Sequence, residues 1–230
     1  MEAENIHHIR RRIASACLKA GRSADEVTLI AVAKTFSSRS VLEAVRGGVP
    51  DIGENYVQEL LRKVSELSGE RIFWHYIGHL QTNKVRSVVE VVSMIHSVDS
   101  LRLGKEIAAC ASRCGKTIDV LVEVNTSGEE SKFGVPPADA AGLAEELAGL
   151  PSVRVAGLMT IGPFLPDPEA SRPAFRMLAG IRSGLAARGL PLAHLSMGMT
   201  NDFEIAIQEG ATMIRIGTAI FGQRAKRPGH

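Results

Sequence analysis

Lys34 lies at the end of an apolar run, in a position that suits a nucleophilic amine. The run 27–33 is rich in β-branched residues and predicts a buried strand. Because Lys34 alternates with Ile30 and Val32, we expect its side chain to extend from the strand end into the mouth of the fold. Partial desolvation there favours the neutral amine, which can form a Schiff base with a carbonyl compound. A lysine whose ammonium group simply reaches solvent is the alternative interpretation.

Two segments near the end of the sequence are suited to binding an anion. The first carries Ser196 and Thr200 and leads from a predicted strand into a predicted helix. The second carries Gly217, which permits close approach of the backbone, so that its amide and that of Thr218 can face an anion. Simple turn and cap roles for these residues are the alternative. Together with the lysine, the two segments predict a phosphorylated carbonyl cofactor, and pyridoxal 5′-phosphate (PLP) meets both requirements.

Three further polar residues are candidates for the same site. Asn55 ends a predicted strand, where its amide can hydrogen-bond a phenolate or another ring substituent. His79 also follows a strand and is expected at the mouth, and Lys132 competes with Lys34 as the acceptor of an aldehyde. His75 and His79 are four residues apart, but on a strand and loop rather than on one helix face, so no metal site is predicted.

The elements that must position these residues alternate between short apolar runs and longer amphipathic runs, which is typical of a parallel sheet covered by helices. An extra N-terminal helix is predicted over 5–20. Eight strands in a chain of this length favour a single closed (β/α)8 barrel domain over residues 1–230 rather than an open sheet. The predicted strands are 27–35, 51–55, 73–78, 94–98, 119–125, 155–161, 194–197 and 213–217.

Composition and charge exclude some classes of binding partner. The 27 Lys and Arg residues nearly balance the 25 Asp and Glu residues, so no overall field attracts nucleic acid or an anionic membrane. No segment has the length and apolarity of a membrane span, and the three cysteines are interpreted as free thiols. We therefore expect a cytoplasmic protein that binds neither nucleic acid nor membrane, and a monomer because a barrel needs no partner to complete its site.

Several segments, taken together and in order, resemble the YggS/PROSC family of pyridoxal phosphate-binding proteins. The resemblance covers nearly the whole chain, and the combination of segments is far more specific than any one of them. The matching segments are Ala-Val-Ala-Lys-Thr at 31–35, Gly-Glu-Asn-Tyr-Val-Gln-Glu at 53–59, the run 74–84, Gly-Leu-Met at 157–159, the run 195–204 and Arg-Ile-Gly-Thr-Ala-Ile-Phe-Gly at 215–222.

This resemblance implies a fold-type III PLP barrel, like the N-terminal domain of alanine racemase, with Lys34 as the Schiff-base lysine. It also implies that Arg215 faces the pyridine nitrogen. An arginine is always charged and only donates, so it would leave that nitrogen unprotonated and weaken the ring as an electron sink. The cofactor-binding residues implied in this way are Lys34, Asn55, His79, Met159, Ser196, Thr200, Arg215, Gly217 and Thr218.

Family membership further implies a role in intracellular PLP homeostasis, in which PLP is carried as a Lys34 aldimine, without robust catalysis. PLP-dependent apoenzymes are then candidate recipients. A PLP-dependent racemase-like enzyme is the alternative, but the alanine racemase pattern has a tyrosine where this chain has Ser38, and the only tyrosines are Tyr56 and Tyr76. No catalytic residue is therefore assigned. A phosphate-binding barrel without PLP, in which Lys34 is an electrostatic clamp, is a third interpretation.

Overall fold

The computed structural model describes residues 2–129, 131–163 and 165–222. Eight parallel strands pair in chain order, and the last pairs with the first, so the sheet closes into a barrel. The predicted (β/α)8 barrel is confirmed, and each predicted strand overlaps an observed one. The strands are β1 Thr28–Val32, β2 Asp51–Glu54, β3 Phe73–Tyr76, β4 Met94–Val98, β5 Ile118–Glu123, β6 Val153–Met159, β7 His194–Ser196 and β8 Met213–Ile216.

Helices follow the strands and cover the outside of the barrel, as the amphipathic runs predict. The last of them is too short for a periodic pattern and was not predicted from the sequence. The helices in the described part of the chain are α1 Glu2–Lys19, α2 Ser38–Arg46, α3 Val57–Glu66, α4 Val85–Val91, α5 Leu101–Arg113, α6 Ala140–Ala148, α7 Arg172–Ala187, α8 Phe203–Gln208 and α9 Thr218–Phe221. None of them combines the length and apolarity needed to cross a lipid bilayer.

The N-terminal helix α1 packs along the outside of the barrel. Its buried residues Ile6, Ile9, Ile13 and Cys17 recur at helical spacing and form one apolar stripe. This stripe lies against α2, α8 and α9, and the side chain of Asn5 donates to the carbonyl of Ile220 at 2.8 Å. The helix therefore braces the last two βα units, which carry the segments expected to bind an anion.

The interior of the barrel is divided between apolar and polar side chains. A separate apolar cluster inside the barrel consists of Ile30, Met94, Leu121, Ala156, Met159 and Met213. Among the buried polar side chains are those of His75, His96, Ser196 and Arg215, which come from four different strands. Buried polar groups require hydrogen-bond partners, so these four side chains must be satisfied by one another, by neighbouring side chains or by the backbone.

Candidate functional site

A cavity of about 380 Å³ opens at the carboxyl ends of the strands, where barrels carry their sites. Its volume is in the range of small-ligand sites. Six of the nine predicted site residues line it, and they come from the segments that follow β1, β2, β7 and β8 and from β8 itself. These six are Lys34, Asn55, Thr200, Arg215, Gly217 and Thr218.

The turn that carries Lys34 is held on both sides by residues of α3. Lys63 Nζ donates to the carbonyl of Ala33 at 2.7 Å, and the amide of Thr35 donates to Glu59 Oε2 at 2.8 Å. Thr35 has a φ of +71°, a left-handed conformation that a β-branched residue rarely adopts. The residues before and after Lys34 are therefore both fixed by hydrogen bonds to one helix.

Lys63 also forms a buried ion pair with Glu54, and both side chains are 0% exposed. Burial raises the pKa of Glu54, and the hydrogen bond and charge of Lys63 oppose that shift. At the half-buried Glu59, burial also opposes ionisation, but hydrogen bonds from Thr35 and Lys63 outweigh it and lower the pKa. The ammonium of Lys63 thus uses its three donors on Ala33, Glu54 and Glu59.

On the side of the cavity formed by the segments after β7 and β8, two hydroxyl groups come from different loops. Thr200 Oγ1 and Thr218 Oγ1 are 3.3 Å apart. The turn that carries Thr200 is held by Asp202, whose carboxylate accepts from the amide of Met199 at 2.7 Å and from Ser171 Oγ at 3.0 Å. Beside these hydroxyls, a Cβ at Gly217 would lie 3.3 Å from the carbonyl oxygen of Val32, so this position leaves little space for a side chain.

Asn55 has hydrogen-bonding capacity that the described protein residues do not use. Its Oδ1 atom is buried and has no partner among the described residues, although a buried polar atom is normally satisfied. Asn55 lines the cavity beside Ile77. A ligand with a hydroxyl group on this side would satisfy the amide.

Arg215 reaches the floor of the cavity from inside the barrel and is 5% exposed. Nη1 donates to Ser196 Oγ at 2.6 Å, and Nη2 donates to the carbonyl of Thr160 at 2.8 Å. Burial lowers the pKa of Arg215 to about 10, against the charges of Glu123 and Asp202, so the guanidinium is still charged at neutral pH. The group has five N–H donors and uses two of them here, which leaves donors for the cavity.

Comparison with known proteins identifies the family. The family model described as alanine racemase, N-terminal domain, matches residues 5–225. A protein from Aquifex aeolicus named pyridoxal phosphate homeostasis protein is 45% identical over 222 residues, which are 96% of this chain and 97% of that protein. The chain belongs to the pyridoxal phosphate homeostasis protein family.

Two solved structures share the barrel fold of this chain. PipY of Synechococcus elongatus PCC7942, described as having PLP bound, is 33% identical with a TM-score of 0.84, covering 96% of this chain and 100% of that one. An alanine racemase from Clostridium difficile 630 has a TM-score of 0.75 at 15% identity, covering 98% of this chain and 58% of the racemase. At that identity the racemase shares the barrel fold, and the likeness shows nothing further.

Three residues that the family resemblance implied as cofactor-binding are not among the residues that line the cavity. His79 is exposed, and its ring stacks on Phe133 with centroids 4.0 Å apart. Met159 belongs to the apolar cluster inside the barrel. Ser196 is fully buried, and its hydroxyl contacts Arg215 and His96. Ser196 therefore lies below the floor of the cavity rather than at the wall formed by the two threonines.

Lys132, the competing lysine, lines a smaller neighbouring cavity of about 140 Å³. Its Nζ contacts Glu129 Oε1 at 2.6 Å and the carbonyl of Gly162 at 3.0 Å. Glu123 lines the same small cavity, and burial, with the charge of Asp99, raises its pKa to about 7.

Two buried polar networks that support the site were not predicted from the sequence. The network around Lys63 had one signal in the sequence. Lys63 shares a helix face with the apolar Leu60, which indicates burial, and it follows Glu59 by four residues, a spacing that allows an ion pair. For the second network, the available signal was two histidines, His75 and His96, within apolar strands. Which partners they contact depends on barrel closure, which brings β4 and β7 together across the interior.

Proposed function

We propose that this chain binds PLP in the cavity at the carboxyl end of the barrel and acts in intracellular PLP homeostasis. The observation that carries the proposal is the convergence, in one cavity, of Lys34, a pair of threonine hydroxyls beside Gly217, and the guanidinium of Arg215. The relatives named pyridoxal phosphate homeostasis protein and the PLP described in PipY support it.

The chemistry of the donors fits the parts of PLP. Lys34 supplies an amine for the aldehyde, and Thr200, Thr218 and the backbone at Gly217 supply donors for the phosphate. The buried, unpartnered oxygen of Asn55 suits the ring hydroxyl. When bound, PLP supplies an aldehyde that captures amines and a ring that can act as an electron sink. Arg215, the donor at the cavity floor, would face the ring nitrogen.

We further propose that the protein holds PLP without robust catalysis. Racemisation needs a second acid or base on the face of the substrate opposite the lysine. Among the described residues that line the main cavity, the titratable side chains are Lys34, Asp202 and Arg215. Asp202 is occupied by Met199 and Ser171, and a charged arginine cannot act as a base. The described walls of the cavity therefore supply no group suited to a second proton transfer.

One observation favours the racemase-like alternative. Glu123 lies at the end of β5, across the barrel from β1, and its pKa of about 7 suits proton transfer at neutral pH. It lines the neighbouring cavity, which meets the main one at Ile161. Sustained racemisation of a single amino-acid enantiomer, lost in both Lys34→Ala and Glu123→Gln, would establish this alternative.

The assembly and location of the protein form part of the same proposal. We propose a monomer with one domain, since every described strand joins one barrel and one chain forms the cavity. A cytoplasmic location agrees with the free thiols Cys17, Cys110 and Cys114, because a reducing compartment keeps thiols reduced. PLP-dependent apoenzymes are the proposed recipients of the cofactor.

The test is the visible absorption of the purified protein with PLP, followed by borohydride reduction and peptide mapping of the labelled lysine. Wild type and Lys132→Ala, the matched control, should both acquire the visible band and carry the reduced label on Lys34. Lys34→Ala should acquire neither. A label confined to Lys132, or an unchanged band in Lys34→Ala, would contradict the assignment of the site.

A further inference from the structure

A chain of hydrogen bonds runs through the barrel interior beneath Arg215. Ser196 Oγ lies 2.9 Å from His96 Nδ1, and His96 Nε2 lies 2.9 Å from His75 Nδ1. His75 Nε2 lies 3.0 Å from Asp51 Oδ1. Asp51 is the first residue of β2, so the chain leads from the amino end of the barrel to the floor of the cavity.

The two ends of this chain dictate the position of every proton in it. At the upper end, Arg215 only donates, so Ser196 Oγ accepts from it and directs its own proton to His96 Nδ1. At the lower end, a carboxylate only accepts, so His75 Nε2 must carry the proton that bonds Asp51. The constraints at Ser196 and at Asp51 lead to the same result: His96 is protonated on Nε2 and donates to His75 Nδ1.

The burial of the histidines agrees with this arrangement. His96 is fully buried, and burial, with repulsion from His75, Arg215 and His194, holds its pKa well below the usual value. It is therefore neutral, with one donor and one acceptor, as the chain requires. Reversing its tautomer would leave no proton between His96 Nε2 and His75 Nδ1, so that two lone pairs would face each other, and would leave the Ser196 hydroxyl without an acceptor among the described residues.

We propose that Asp51, His75, His96 and Ser196 form a positioning relay that fixes the direction in which Arg215 donates into the cavity. The relay directs the Ser196 proton to His96 and so holds in place the oxygen that accepts from Arg215 Nη1, while the carbonyl of Thr160 accepts from Nη2. The remaining N–H groups of the guanidinium then point at a fixed place on the cavity floor. Its effect on a bound PLP ring rests on the function proposed above, whereas the proton positions do not.

The first experiment records the side-chain nitrogen NMR spectrum of the full-length protein without added PLP, with signals assigned from His75→Gln and His96→Gln. Both histidines should be neutral with the proton on Nε2. Asp51→Ala should change the tautomer populations of His75, and Asp51→Asn, which keeps an acceptor oxygen, should restore them. Asp119→Ala is the matched control, because Asp119 lies near the same barrel end, is 19% exposed against 23% for Asp51, and pairs with Arg154 instead.

The second experiment follows PLP in the same variants. Asp51→Ala and Ser196→Ala should shift the visible band of bound PLP, and Ser196→Ala should raise the dissociation constant roughly tenfold, as expected for one lost hydrogen bond. Asp51→Asn and Asp119→Ala should match wild type. If Ser196→Ala does not fold, the two Asp51 variants carry the test. Residue 51 lies at the partly exposed end of the relay, so substitutions there disturb the fold least.

The outcomes separate the two proposals. A proton on Nδ1 of either histidine in wild type, or an Asp51→Ala protein with wild-type tautomers and spectrum, would overturn the relay. A wild-type protein that acquires no visible band would contradict the cofactor assignment, and the NMR result would still decide whether the relay exists.

Discussion

Replacing Lys63 by methionine should be among the most destabilising single changes in this chain. Methionine has a similar length, but it cannot replace the three hydrogen bonds of the ammonium to Ala33, Glu54 and Glu59. The carboxylate of Glu54 is left 0% exposed without its charged partner. Breaking a buried pair by removing one partner costs about 3–5 kcal/mol, because an uncompensated charge remains. We expect a loss of this size in the free energy of unfolding.

The double variant Lys63→Met/Glu54→Gln distinguishes this explanation from a packing defect. If the stranded charge is the cause, neutralising Glu54 should recover at least half of the loss, since a buried pair is worth little compared with neutral residues. Arg86→Met is the matched control. Arg86 pairs with Glu90 at the same helical spacing as Lys63 with Glu59, but it is exposed, so we expect a change of about 0.5 kcal/mol or less.

Urea unfolding followed by circular dichroism measures all three variants. The reasoning is refuted if Lys63→Met loses less than about 1 kcal/mol, or if the double variant is no more stable than the single one. A second readout concerns the site itself. Because Lys63 holds the carbonyl of Ala33, the single variant should also react more slowly with PLP at Lys34 under conditions where it remains folded.

Three further predictions follow from the same geometry. Gly217→Val places a branched side chain beside the Val32 carbonyl and should weaken PLP retention by at least about tenfold in equilibrium dialysis, whereas Gly180→Ala, with open space around it, should not. Burial raises the pKa of Glu123 to about 7 in the folded state, against 4.5 in the unfolded chain. Its protonation therefore contributes at most about 3 kcal/mol to the free energy of unfolding, and this contribution is complete below pH 4.5 and is lost as the pH rises through 7. Urea unfolding at several pH values should show a slope over that window that Glu123→Gln lacks. Thr35→Gly relieves a positive φ and should raise the free energy of unfolding by about 1 kcal/mol, seen as a higher urea midpoint, and a lower midpoint would contradict strain at this turn.

The strands were predictable because burial on both faces of a parallel strand leaves an apolar, β-branched run that any reader of the sequence can count. Lys34 and Asn55 were predictable for a related reason, since the carboxyl end of each strand must face the site in a barrel. The four-residue helix α9 was not, because four residues contain about one helical turn and no periodicity. Seven of the eight predicted strand ends also lie one to three residues too late, as at β1, which ends at Val32, whereas the predicted end of β4 agrees with the observed one.

The contacts of the buried polar residues could not be predicted in the same way. His96 and Ser196 are 100 residues apart in sequence, and they meet only because the closed sheet places β4 and β7 across the interior from each other. Ser196 shows the consequence most clearly. From its position at the end of a strand it is a reasonable phosphate ligand, yet the side chain lies under Arg215, because alternate residues of a barrel strand point inward.

The two buried networks fix the two ends of the cavity from different sides of the barrel wall. Lys63 acts from the helical layer on the Lys34 turn, and the histidine chain acts from the interior on Arg215. Buried polar groups are costly when unpaired, so each network resists displacement of the group that it holds. A cavity organised in this way binds its ligand without reorganising, which strengthens binding of the ground state. Such binding does not by itself accelerate a reaction, because a rate gain requires contacts made only in the transition state. Rigidity of this kind therefore suits the proposed role of holding PLP, which needs no second catalytic group.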